Sequence, residues 1–164
     1  MPDATSFKTP LRAWQRATGA AAGLAPWCLL AMRVLVALAF WRAGSVKLAD
    51  PSGTLYLFTD EYHVPWLAPG FAAALATWTE LVLPWFLGLG AATRLVAVVL
   101  FVYNIICVVS YPALWPMGFW RGLAHGQFAD HQAWALMLLA VIAWGPGRWS
   151  LDTLLARWWQ RRTT

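Results

Sequence analysis

The chain has 164 residues, of which 60% are apolar and only 12% charged. A soluble domain of this size carries roughly 25% charged residues, so a water-soluble globule is excluded and the chain reads as an all-α integral membrane protein. The formal charge of +5 does not indicate nucleic acid, because the basic residues flank apolar stretches instead of forming a patch on a recognition module.

A helix needs about 20 residues to cross ~30 Å of hydrocarbon, and four segments are assigned as crossings. The first is 24–46, opened by Pro26 in the first turn, where a missing N–H is harmless. The second, 71–89, follows Pro69-Gly70; the third, 93–111, follows Gly88-Leu89-Gly90. The fourth, 128–144, ends at Gly145-Pro146-Gly147, and its continuous apolar part begins at Ala133. The expected architecture is a membrane four-helix bundle (24–147) between a cytoplasmic N-terminal tail (1–23) and a basic cytoplasmic C-terminal tail (148–164). A polar loop, 49–69, separates spans one and two, and a loop rich in Pro, Gly and Trp, 112–127, separates spans three and four. The first apolar run starts too far from the N-terminus, and runs too long, for the apolar region of a cleavable signal peptide.

Lys and Arg in short flanking segments orient membrane proteins. With both termini inside, Lys8, Arg12, Arg16, Arg94, Arg148, Arg157, Arg161 and Arg162 fall on the inner side, and only Lys47 and Arg121 on the outer. Arg42 lies near the outer end of span one, where its side chain can reach the headgroups as an anchor. Tryptophans near the span ends, among them Trp27, Trp41, Trp66 and Trp144, fit interfacial belts.

Polar residues within the spans are the main candidates for function. At 1.5 Å per residue, Arg33, Glu80 and Asn104 each come out at roughly 14–16 Å from the inner surface. Charged groups at such depth face the bundle interior and pair, so the three are expected to form one midplane polar cluster with Arg33 against Glu80. The cluster is either a structural ion pair or a ligand or proton site. Helical periodicity places Arg33, Phe40, Gly44 and Lys47 on one stripe of span one. Ala73, Ala76, Thr77 and Glu80 share a face of span two, where small residues admit a close neighbour. Pro84, four residues after Glu80, leaves the Glu80 carbonyl without its helical donor.

Cys28 and Cys107 are placed at unequal depths, about 6 and 20 Å, so no disulfide is expected between them. Asp60, Glu61, His63 and His131 are candidate polar residues on the outer side, together with His125 and Asp130. Imidazole with carboxylate can bind a transition metal, but their spacing matches no ligand motif, and no metal site is assigned. No G-x-G-x-x-G, P-loop or paired histidines within the spans announce a cofactor, and no catalytic residue can be named.

The sequence resembles the DoxX family of small four-helix bacterial membrane proteins over about residues 30–155. The resemblance rests on Arg33, Phe40, Gly44 and Lys47-Leu48, then Glu80, then Leu87-Gly88-Leu89-Gly90 with Thr93-Arg94. A narrower likeness is to DoxX proteins encoded beside multinuclear non-haem iron enzymes that modify copper-binding peptides. It involves Phe58-Thr59-Asp60-Glu61-Tyr62, Pro65, Tyr111-Pro112, His131 with Trp134, and Gly145-Pro146-Gly147 followed by Ser150-Leu151-Asp152; the longer 112–127 loop departs from it. The resemblance implies the bacterial inner membrane and redox or stress physiology, since DoxD relatives belong to a thiosulfate:quinone oxidoreductase.

Three functions are consistent with these features. The first is a subunit or accessory of a membrane redox system, with quinone as its cofactor and a soluble or membrane protein as its redox partner. The second is a small carrier or copper-homeostasis protein, and the third an anchor for a partner. The lipid bilayer is the common partner of all three, nucleic acid of none, and a homo-oligomer is compatible with each.

Overall fold

The computed structural model describes residues 18–19 and 21–163. Lys8, Arg12 and Arg16, counted above as topology signals, lie outside the described residues. The described residues fold into helices joined by short turns. We label them α1 (Ala25–Ala49), α2 (Pro51–Asp60), α3 (Pro69–Leu89), α4 (Thr93–Ser110), α5 (Phe119–His125), α6 (Ala129–Trp144) and α7 (Leu151–Thr163).

Proline and the polar caps punctuate these elements. Pro26 sits in the first turn of α1, and Pro69 opens α3. The polar loop expected over 49–69 contains α2: Asp50 accepts a hydrogen bond from the Gly53 N–H at 2.9 Å and Pro51 occupies the first helical position, an N-terminal signature strong enough to start a helix in an otherwise mixed segment. The 112–127 loop likewise contains a 3₁₀ turn, Pro112–Leu114, and the short α5. The C-terminal segment is helical too, because Ser150 Oγ accepts from the Thr153 N–H at its start. Pro84 is accommodated inside α3, which continues through it to Leu89.

Among the described residues three helices, α1, α3 and α4, are long and apolar enough to cross a membrane. The fourth expected crossing corresponds to α6, whose 16 residues span about 24 Å. α1 packs along α3, α4 packs along α6, and α1 also touches α6, whereas contact between the consecutive α3 and α4 is slight. The core is common to all four: Val36, Ala37 and Phe40 of α1, Leu87 of α3, Val96, Ala97 and Leu100 of α4, and Leu138 and Val141 of α6. The weak α3–α4 contact leaves space between these helices, and the candidate site lies there.

Candidate functional site

Gly44 brings α1 and α3 together. A Cβ at Gly44 would stand 2.9 Å from both the backbone carbon and the Cβ of Glu80, so only glycine permits this approach. One turn further along α1, Lys47 reaches Glu80, its Nζ donating to Oε2 at 2.6 Å. The other carboxylate oxygen, Oε1, accepts from the Tyr103 hydroxyl of α4 at 2.7 Å. Glu80 is almost wholly buried, and both its oxygens are satisfied by donors from two other helices. An ionised carboxylate in an apolar interior requires that provision.

This triad borders a cavity of about 930 Å³ between α3 and α4. Phe40 and Trp134 form part of its wall, their ring centroids 5.6 Å apart, and Phe40 lies 5.9 Å from Tyr103. Cys107 and His131 also face it. The opposite rim is apolar and exposed: Leu75 on α3 and Val98, Val99, Val102 and Ile106 on α4. The cavity is therefore a groove with one polar, aromatic wall, open along the outer surface of the helices. Tyr62, from the turn after α2, closes one end, packed edge-on against Phe58 and Tyr111 at 4.9 and 4.8 Å. Burial, with Tyr111 and Glu61 nearby, raises its phenol above the ordinary range.

Arg33, Glu80 and Asn104, expected to form one cluster, are all buried but have three separate sets of partners. Arg33 donates through Nη2 to the Trp149 carbonyl at the start of the C-terminal segment, and Nε and Nη1 make no hydrogen bond among the described residues. Asn104 pairs with His131: its amide nitrogen donates to the His131 carbonyl at 2.9 Å, and its Oδ1 lies 2.8 Å from Nδ1. The Arg33–Glu80 contact is corrected to Lys47–Glu80, for a directional reason. Helical side chains lean toward the N-terminus of their helix. On antiparallel α1 and α3, Arg33 and Glu80 lean apart while Lys47 and Glu80 lean together. Backbone position adds to this, because Glu80 lies level with Gly44, eleven residues and about 16 Å beyond Arg33.

Arg33 belongs to a second constellation, at the α3–α4 turn. Asp152 of α7 accepts from the N–H groups of Ala92 and Thr93, both at 2.8 Å, and from the Thr93 hydroxyl at 2.7 Å. Its own N–H donates to the Gly90 carbonyl at 2.9 Å. Burial works against the Asp152 charge, but the Thr93 and Ala92 donors and the Arg33 guanidinium together hold its carboxyl below the usual range. Gly90 has φ 74°, and a Cβ there would fall 1.9 Å from Arg33 Nη1. Glycine is thus required both by the backbone and by the arginine filling the space.

The stripe Arg33, Phe40, Gly44 and Lys47 faces inward along α1. The outer-side candidates do not converge. Asp60 is exposed at the end of α2, the His63 ring lies 3.0 Å from the carbonyl of Glu61, and His131 is held by Asn104. Among the described residues no group of three His, Cys, Asp or Glu side chains could hold a metal, and Cys28 and Cys107 are free. Sequence reasoning missed Tyr103, and it named Asp152 only as part of a family likeness, without a role or partner. The signal for Tyr103 was a hydroxyl within an apolar span, since a buried tyrosine needs a partner.

The DoxX family model matches residues 28–112 of the chain. No curated protein and no solved structure matches it.

Proposed function

The chain belongs to the DoxX family, and on that premise we propose that it is a membrane subunit or accessory of a redox system, binding a lipid-soluble quinone in the groove between α3 and α4. The carrying observation is the coincidence of an exposed apolar rim with the Lys47–Glu80–Tyr103 triad on the inner wall. The volume of about 930 Å³ is at the upper end of the range for small-molecule sites. The residues fit the ligand class. Phe40, Tyr103 and Trp134 offer aromatic faces to a ring. An ammonium carries three donors, so Lys47 retains donors for a carbonyl after serving Glu80. When bound, a quinone carries two electrons and two protons; the partner protein is the electron source.

In this reading α6 is the fourth crossing, both termini are cytoplasmic, and the membrane is the bacterial inner membrane. The charge asymmetry of the sequence supports that orientation. The carrier reading has less support, because among the described residues no group of three His, Cys, Asp or Glu side chains could hold a metal.

Purified protein should bind a short-chain benzoquinone saturably, and Val102→Trp, which fills the groove from its rim, should abolish binding with the fold intact. Quinone reduction should appear only with the co-purified partner. Absence of saturable binding in a folded preparation overturns the proposal.

A further inference from the structure

His131 is held by a clamp whose chemistry fixes where its proton lies. The His131 backbone carbonyl can only accept a hydrogen bond, so the Asn104 group beside it, at 2.9 Å, must be the amide nitrogen. The Asn104 carbonyl oxygen therefore faces His131 Nδ1, at 2.8 Å. An amide oxygen can only accept, so Nδ1 carries a hydrogen, and in a neutral ring Nε2 carries a lone pair. Trp134 holds the same imidazole edge-on, with ring centroids 4.8 Å apart. His131 lines the groove, and among the described residues nothing hydrogen-bonds its Nε2. Two of the groove's other polar groups already have partners: the Tyr103 hydroxyl donates to Glu80, and each Glu80 oxygen accepts a hydrogen bond.

We infer that His131 Nε2 is a hydrogen-bond acceptor in the groove for a hydroxyl on the ligand, with Asn104 as the positioning residue that sets its tautomer. The inference rests on the quinone reading and deepens it. A quinol presents O–H groups and a quinone only carbonyls, so a lone pair at Nε2 selects the reduced form. Lys47, whose spare donors suit a carbonyl, stays neutral in that choice because a phenolic oxygen also accepts.

The test uses the full chain with ¹⁵N-labelled histidine in lipid nanodiscs, and decyl-benzoquinone and its quinol as probes. His131→Phe identifies the His131 resonances by their loss. Without ligand, His131 should show a protonated Nδ1 and an unprotonated Nε2, and Asn104→Leu should redistribute that tautomer. Quinol should shift the Nε2 resonance and bind about tenfold more tightly than quinone, the ratio of one 1.4 kcal/mol interaction. His131→Phe should erase the roughly tenfold preference for quinol over quinone. A protonated Nε2 in the ligand-free protein overturns the inference, and this reading needs no variant to fold. Equal binding of both forms in wild type and His131→Phe overturns it while leaving the quinone site standing. If neither form binds, the quinone reading fails and the inference with it.

Discussion

Lys47 and Glu80, 33 positions apart, are joined across α1 and α3 by an ion pair of 2.6 Å whose acid is also held by Tyr103 of α4. One carboxylate thus ties three helices together. A lone charge at the centre of a membrane helix costs roughly 2.5–3.5 kcal/mol on insertion scales. Glu80→Gln or Lys47→Met alone should therefore lower stability by about 3 kcal/mol, because each strands the remaining partner. The double variant should regain much of that loss. Arg33→Gln combined with Glu80→Gln should be additive, since the two share no partner. Unfolding in detergent measures all of these, and additive losses for the Lys47 and Glu80 pair would show that the ion pair carries no coupling.

Gly44→Ala should destabilise by about 1–3 kcal/mol, as overpacking of a tight contact does. The added methyl meets the backbone of Glu80, which cannot move aside as a flexible chain end could. The variant should also weaken quinone binding by displacing the triad. Unchanged melting and binding would mean that the two helices can separate freely.

Asp152 predicts a pH dependence. Its folded pKa is lowered, so its contribution is fully present above the ordinary carboxylate value of about 3.9 and is lost as pH falls through the lower folded value. Docking of α7, followed by protease protection of the C-terminal segment, should hold from pH 7 to 5 and decline below about 4. Asp152→Asn should remove that acid transition and leave protection weaker throughout. An identical pH profile in the variant would assign the transition to another group.

Orientation is tested with reporter fusions. Fusions in the turn after α2 and in the α5–α6 turn should report the outer side, and a fusion at Thr164 the cytoplasm. A C-terminus on the outer side would reverse the orientation of the groove.

Helix positions were largely legible in the sequence, because apolar runs bounded by Pro69, Gly90 and Gly145 leave few alternatives. α2 was also legible in principle, through Asp50-Pro51, but the polar residues around it drew the reading toward a loop. Site pairing was not legible by the same means. Counting residues from span ends placed Arg33 and Glu80 level, yet Gly44, not Arg33, stands level with Glu80, so α1 and α3 are staggered and their ends do not share a depth. The stripe on α1 was found from periodicity alone, whereas the partners of Asn104 and Arg33 lie on α6 and beside α7. No spacing rule links residues that far apart in the chain.

On the quinone reading, the exposed apolar rim formed by Leu75, Val98, Val99, Val102 and Ile106 changes what affinity means for the site. A pocket facing water must draw a greasy molecule out of an aqueous pool in which it hardly dissolves. A groove facing hydrocarbon instead exchanges with molecules already dissolved in the bilayer, and acyl chains compete for the same space. Its occupancy then follows the mole fraction of the ligand among lipids, so the same protein will look saturated or vacant as that fraction changes. In a micelle, adding detergent dilutes the ligand as surely as removing it.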